Sequence, residues 1–521
     1  MAFLRRMIKK APLIAPLGAG YYLFSTVSHP ESTGPAYQIL PKISYDQHPN
    51  KHIISKIPKT IGVLGGGVAG LVSAKTFKLQ GYDVELIDKN PGVGGVWHKN
   101  YDNAGLQGPK ETYHIPDFHM PESYPTFPKQ GQVKAWLEAY AEKFGLNSVC
   151  SFNKEVKNIT QNPDETWKLT FSDGTTKDYD FLIVAAGLHN NPNIPSFKGQ
   201  EKFKGKILHS SQFINAKHLC ENKKVIVVGS GKSAFDIMNT TLEYGGKPTG
   251  LIRTVGYSFP EEEKPYGIPL WVTLLSRFMY TFGIIFDTEN SFIHKYLYPI
   301  EYLLLKFMDL QFRYKAIKEF QPDDQKFHFI ETAGLRQEHT QENIRNGKIK
   351  IIKGTISEIQ ENGVIVNGNF IEADTIVYAT GFNAQYFIEP LKEDGFWSYK
   401  HMLIPGKRNV AFVGAFITIY TSLWFNIQAM WINDMLRGHV KVPSIDDMKK
   451  DIEEKKKQGF AYYPAYKHKP IFISSQTYSP FYIDDLLKEM GINSVREKSM
   501  FRHWLYPFDT KKYEAVATHH I

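Results

Sequence analysis

The sequence predicts an α/β protein built on two Rossmann-like βαβ units, and three observations carry that reading. The stretch "TIGVLGGGVAGLVSAKTFKLQGYDVELIDKN" runs strand, glycine turn, helix, strand. "KKVIVVGSGKSAFDI", Lys223 to Ile237, opens the same way, and "GGKPTGLIRT" supplies its next loop and strand. The third is a weak internal repeat. "TWKLTFSDGTTKDYDFLIVAAG" alternates around Asp173-Gly174, a hairpin signal, and ends in an apolar strand. "KIKIIKGTISEIQENGVIVNGNFIEADTIVYATGF" repeats the layout, with a turn at Asn362-Gly363. "FLIVAAG" and "TIVYATG" then read as matching strand ends where the chain crosses between domains.

Size and composition set the outer limits. At roughly 100–200 residues per domain, 521 residues imply two to four domains. A hydrophobic fraction of 42% supports a large core and argues against global disorder. The net charge of +9 is spread without a basic stripe, which argues against nucleic acid and fits an anionic cofactor or a membrane surface. Cys150 and Cys220 are the only cysteines, so a disulfide framework, a zinc ribbon and a dithiol centre are excluded. The histidines lack ligand spacing, and no metal site is expected.

The N-terminus precedes the first unit and reads separately. Arg5, Arg6, Lys9 and Lys10 lead into an uncharged run from Ala11 to Ser28, and the first acid is Glu31. A signal anchor, a cleaved secretory signal and a mitochondrial presequence all fit. Membrane association is the expectation, with the endoplasmic reticulum favoured and the mitochondrion the alternative. Residues from Ser28 to Lys59 lack periodicity and read as a tether.

The expected organisation is a targeting or anchor segment with tether (1–58), the first part of one dinucleotide domain (59–220), a second such domain (221–378), and the remainder of the first with a C-terminal extension (379–521). The second domain carries an apolar, aromatic helical insert at about 268–317. That insert reads either as a helical subdomain with a buried face or as a membrane-contacting surface. Met448 to Gln458 reads as a solvated helix with opposite charges one turn apart.

In the first unit, Gly65-Gly66-Gly67-Val68-Ala69-Gly70 has the dinucleotide spacing: a tight turn, close approach to a pyrophosphate, and helix packed on strand. Asp88 ends the next strand, where an acid accepts ribose hydroxyls and repels a 2′-phosphate, so FAD or NAD suits this unit. The second stretch ends in a Gly-Lys-Ser that imitates a P-loop. A P-loop needs glycine at the position of Ile226, inside the strand, so that reading fails. Gly229-x-Gly231-x-x-Ala234 remains, a second dinucleotide fingerprint. Arg253 stands where the first unit has Asp88, and pairs there with the 2′-phosphate of NADP or is a surface charge. Lys232 reaches a phosphate or is solvated. Two oppositely tuned ribose sites imply hydride transfer between NADPH and FAD.

"FKGKILHSSQF" reads Phe203-x-Gly205-x-x-x-His209-x-x-x-Phe213, just before the second fingerprint. This resembles the identifying motif of the flavin-containing monooxygenases, the class B flavoprotein monooxygenases. "GVGGVW", "IPDFHMPESYPTFP" with Asp117 and Phe118, "YATGF", and "NVAFVGAF" followed by Gln428-Ala429 agree in order, over roughly Lys59 to Ile452. The resemblance implies FAD and NADPH as cofactors, a discontinuous FAD domain, and a flavin C4a-hydroperoxide that passes one oxygen atom of O₂ to a soft sulfur or nitrogen of a small organic substrate. It implies contacts to FAD from Gly65, Gly66, Gly67, Val68, Ala69, Gly70, Asp88, Lys89, Gly95, Val96, Trp97, Leu106, Gln107 and Val156. It implies contacts to NADPH from Gly229, Ser230, Gly231, Lys232, Ser233 and Arg253, and Gly381 is a further cofactor-binding candidate. Gln107 stands where many members have a flavin-contacting asparagine and is the one catalytic candidate. His209 reads as structural or NADP-side rather than as an acid–base catalyst. Related Baeyer–Villiger enzymes usually show tryptophan at the place of Phe213, so ketone insertion or NADPH oxidation is the alternative. A membrane subunit that kept the fold without turnover is the third reading.

Overall fold

A computed structural model describes residues 41–253, 258–260, 334–336, 338–383, 397–416, 418, 420–462, 479–497, 499–500, 503 and 508–519. They belong to two compact units. The first-fingerprint unit draws on residues 28–99, 108–190 and 384–521, and the second-fingerprint unit on Asn100–Gln107 and Asn191–Asn383.

The first unit opens with β1 (Thr60–Leu64), α1 (Val68–Leu79) and β2 (Asp83–Ile87), followed by α2 (Gln130–Lys143) and the edge strand β3 (Cys150–Ser151). An antiparallel meander of β4 (Val156–Gln161), β5 (Trp167–Phe171) and β6 (Thr176–Tyr179) leads into β7 (Phe181–Val184), which returns parallel to β1. The second unit holds β8 (Asn191–Pro192), β9 (Lys206–His209), α3 (Ala216–Cys220), β10 (Lys224–Val228), α4 (Lys232–Glu243) and β11 (Lys247–Ile252). A short parallel pair, β12 (Ser258–Pro260) and β13 (Gly334–Arg336), and α5 (Glu338–Arg345) precede β14 (Lys350–Lys353). A second meander of β15 (Ile356–Gln360), β16 (Gly363–Val366) and β17 (Asn369–Glu372) leads into β18 (Thr375–Tyr378), parallel to β10, and then β19 (Phe382–Asn383). The first unit resumes with β20 (Val410–Phe412), α6 (Thr421–Arg437), α7 (Ile445–Tyr462), α8 (Ser479–Glu489) and α9 (Glu514–His519).

The two parallel sheets share one plan. Their orders are β3-β2-β1-β7-β20 and β14-β11-β10-β18-β9. In each, the fingerprint strand lies between its βαβ partner and the return strand that follows the meander. β1 and β7 are buried almost throughout, as strands covered on both faces must be, whereas β5 alternates with Trp167, Leu169 and Phe171 inward. Asp173-Gly174 does turn the first meander. In the second, Glu361-Asn362 joins β15 to β16, and Gly363 already belongs to β16. The tighter turn is Asn367-Gly368, both at positive φ (52° and 77°), between β16 and β17.

Four expectations differ from the structure. The chain leaves the first unit at Asn190 rather than at 220, because β9 is the edge strand of the second sheet and Ala216, Leu219 and Cys220 are buried in its core. It also returns to the first unit after Asn383, not at 379. Residues 43–54 are not a free tether. Ile53 and Ile54 are fully buried, and Asn50, also fully buried, donates to the carbonyls of Met435 (3.0 Å) and Val440 (2.7 Å) while accepting from the Val442 amide (2.8 Å). One polar side chain thus satisfies three backbone groups at the end of α6, which ties the strap down. α7 is only partly solvated, since Met448 is buried.

The uncharged N-terminal run and the insert at 268–317 lie outside the described residues. Among the described residues, no helix is long and apolar enough to cross a membrane.

Candidate functional site

Each fingerprint becomes a bare helix start. α1 begins after Gly67 and α4 after Gly231, and neither helix has a side chain capping its first N–H groups. Backbone donors and the positive end of the helix dipole are therefore left for a ligand at each start, although in α4 the Ala234 amide already donates to the Gly231 oxygen (3.1 Å). The turns before them match. Gly65 and Gly229 have φ of 109° and 138°, and a Cβ there would stand 2.4 Å from the Ala185 oxygen and 2.3 Å from the Ala379 oxygen. Those oxygens belong to residues that directly follow β7 and β18, so the return strands shape both turns.

The third fingerprint position differs. A Cβ on Gly70 would lie 1.7 Å from the Gly65 oxygen, so only glycine fits. The second unit tolerates Ala234, fully buried, at the same place. Gly231 has nothing within 4 Å of an added Cβ and is exposed, which leaves room for a phosphate.

Asp88 ends the first ribose side as expected, nearly buried at 7% exposure. Its Oδ2 accepts from the Gly66 amide at 2.5 Å and its Oδ1 from the Asn90 amide at 2.7 Å. Each carboxylate oxygen keeps a second lone pair for a ribose hydroxyl. Gly94 donates to the Gly66 oxygen (2.8 Å), which brings the "GVGGVW" turn to the same cradle. Gln130 Nε2 holds the Trp97 oxygen at 2.7 Å, and Val96 is 41% exposed, an apolar side chain without cover. Val68 is half-buried, Ala69 buried and Lys89 exposed. Val156, the first residue of β4, instead packs on the core that contains Phe171 and Leu182. Gly414, at φ 75°, would bring a Cβ within 2.9 Å of Ala69 Cβ; its amide donates to Gln428 Oε1 (3.0 Å), and Gln428 donates to the Tyr482 hydroxyl (2.8 Å). The "NVAFVGAF" segment thus closes on the start of α1.

In the second cradle, Arg253 is exposed and directly follows β11, and Ser230 and Ser233 flank Gly231. Lys232 is not solvated. Its ammonium lies 2.6 and 2.8 Å from the two carboxylate oxygens of Asp236, one turn on. Gly381 is exposed at φ 79°, and its oxygen accepts from His209 Nε2 at 2.9 Å. His209 Nδ1 accepts from the Ser211 amide (3.2 Å), so Nε2 carries the proton. Burial lowers the pKa of this imidazole, and with both nitrogens engaged it is a latch between β9 and the β18 loop, not a proton shuttle. Phe213 is fully buried in the core beside α4. Leu106 is buried, and Gln107 is exposed at the end of the 100–107 segment.

Asp117 owes its place to packing. It accepts from Lys75 of α1 at 2.6 Å, and both side chains are almost fully buried. Burial lowers the Lys75 pKa while Asp117 opposes that shift. Tyr101 and Asp236 were not legible as a pair: 135 residues separate a hydrogen bond of 3.0 Å. Among the described residues, no cluster of histidine, cysteine or carboxylate suits a metal.

The residues fit one dinucleotide at each helix start. The flavin-binding monooxygenase-like family model matches residues 58–496. The rat flavin-containing monooxygenase 1 is 28% identical, with 83% of each chain covered. The rice indole-3-pyruvate monooxygenase YUCCA1 is 27% identical over 62% of this chain and 76% of its own. Among solved structures, a steroid monooxygenase bound to NADP superposes with a TM-score of 0.63 at 18% identity, covering 83% of this chain and 98% of that one. The S-allyl-L-cysteine S-oxygenase of Allium sativum gives 0.56 at 17%, covering 86% and 91%. These two likenesses speak to the fold.

Proposed function

The chain belongs to the flavin-binding monooxygenase-like family, and from that premise we propose that it is an FAD- and NADPH-dependent monooxygenase that oxygenates a sulfur or nitrogen centre of a small organic molecule. The observation that carries the cofactor assignment is the pair of uncapped glycine helix starts, with Asp88 beyond one and Arg253 beyond the other. FAD supplies the oxygen-activating chemistry, with hydride from NADPH.

The protein's own tasks are binding, orientation and exclusion of water. The N–H groups at the start of α1 hold the FAD pyrophosphate, and Asp88 accepts from its ribose. The start of α4 holds the NADPH pyrophosphate, and Arg253 takes the 2′-phosphate. Gln107 offers an amide donor in place of the family's asparagine, one methylene longer. No Ser-His-Asp triad is needed, because a soft nucleophile attacks without prior deprotonation.

Product analysis tests this reading. The FAD-loaded enzyme is given NADPH, O₂ and, in turn, a thioether, a tertiary amine and a cyclic ketone. A sulfoxide or N-oxide is expected. An ester product moves the chain to Baeyer–Villiger chemistry, and hydrogen peroxide alone makes it an NADPH oxidase. Membrane association, inferred from residues 1–40 and 268–317 of the sequence, is tested by fractionation with and without the first 40 residues.

A further inference from the structure

Resting on the cofactor reading above, we propose that Tyr101 is a positioning residue. Its hydrogen bond to Asp236 couples NADP(H) occupancy at the start of α4 to the 100–107 segment that ends in Gln107.

Asp236 lies one turn inside α4 and is 4% exposed. Its carboxylate is shared. Lys232 Nζ bridges both oxygens, and the Tyr101 hydroxyl donates to Oδ2 at 3.0 Å. The Ser233 hydroxyl also bonds the phenol, and burial together with the nearby carboxylate raises the phenol pKa, so it stays a donor. The Tyr101 ring packs in the core with Phe213, Ala234 and Phe235. Asn103 adds a second stitch, from Nδ2 to Thr240 Oγ1 (3.2 Å) and Glu243 Oε2 (2.8 Å). Asp236, Thr240 and Glu243 follow at i, i+4 and i+7, so the segment is laced along one face of the helix whose first turn is the phosphate cradle. Asp102 fixes the other side, accepting from the Ala216 amide at 2.7 Å.

Lys232 makes this lacing responsive. It is the first residue of α4, next to the open space at Gly231. A bound phosphate competes for its ammonium, which has three donors and can keep Asp236 Oδ1 while turning away from Oδ2. Oδ2 then has Tyr101 as its principal donor, and a hydrogen bond to a less neutralised carboxylate is stronger. Dinucleotide binding therefore tightens the Tyr101 contact. By thermodynamic reciprocity, a tight contact raises dinucleotide affinity.

The FAD-loaded enzyme and its Tyr101→Phe variant test this. NADP⁺ binding is titrated calorimetrically, and hydrogen exchange of the 100–107 amides is followed with and without NADP⁺. The wild type is expected to gain protection there on binding. Tyr101→Phe is expected to lose that gain, to bind NADP⁺ about fivefold more weakly, and to show a raised KM for NADPH with unchanged FAD content. Wild-type affinity and wild-type protection in Tyr101→Phe would overturn the proposal. Should that variant not fold, Lys232→Met decides by exchange alone: 100–107 amides equally protected with and without saturating NADP⁺ support the coupling, and a wild-type gain in protection on binding refutes it. A wild-type enzyme that binds no NADP⁺ refutes the cofactor reading itself, and the coupling with it.

Discussion

Asp88 Oδ2 accepts the Gly66 amide at 2.5 Å, so the acid expected to select a ribose also braces the glycine turn that holds the pyrophosphate. Asp88→Asn keeps the bulk but replaces one acceptor oxygen by a donor. We expect FAD affinity to fall about tenfold and stability to fall by about 1–3 kcal/mol, the cost of disturbing a buried hydrogen bond. Flavin-to-protein absorbance ratio and urea denaturation measure the two effects separately. Undiminished flavin content would assign Asp88 to the turn alone.

The glycines divide by role. Gly70→Ala places a Cβ 1.7 Å from a backbone oxygen, and the cradle cannot form, so the purified protein should be colourless or insoluble. Gly231→Ala meets nothing within 4 Å, at φ −82°, where alanine is at ease. It should keep its FAD and melt within about 1 kcal/mol of the wild type, yet bind NADPH more weakly, because the new methyl occupies the phosphate's approach. Flavin content and NADPH titration of the two variants side by side check the contrast.

Arg253→Ala should weaken NADPH selectively. A charge-assisted pair with phosphate contributes roughly 1.5–3 kcal/mol, so the preference for NADPH over NADH should fall by about ten- to a hundredfold. Steady-state kcat/KM with the two reductants reads this directly, and a preserved preference would move 2′-phosphate recognition to another cation.

Stability should decline between weakly acidic and neutral pH at one buried carboxyl. Burial pushes Asp434 up to about 7, against the pull of Asn433 and Arg437. The unfolded chain releases this proton near pH ~4. Stability from Asp434 is thus fully present below that value and is lost as pH rises towards 7. Asp434→Asn should be more stable than the wild type at pH 8, by on the order of 2 kcal/mol, with the gap closing towards pH 4. Urea midpoints across that range test the sign.

The parallel cores were legible because glycine spacing and unbroken apolar strands are local signals. "FLIVAAG" and "TIVYATG" became β7 and β18, each beside its fingerprint strand. Features made by distant partners were not legible. Asn50 lies in a stretch without periodicity, and its three backbone partners are about 385–392 residues away. The 100–107 segment joins the second unit through Tyr101, Asp102 and Asn103, whose partners on α4 and at the start of α3 no spacing rule connects. Lys232 shows the same limit at short range: the sequence reading, phosphate or solvent, does not include Asp236, four residues on, which pairs with it.

The central claim is that the first cradle holds FAD and the second delivers hydride from NADPH. Anaerobic mixing of the FAD-loaded chain with NADPH, followed by the visible absorbance of the oxidised flavin, tests it most directly. Rapid bleaching with NADPH and much slower bleaching with NADH is the result expected. A chain that binds no flavin, or a flavin left oxidised by NADPH, would contradict the account.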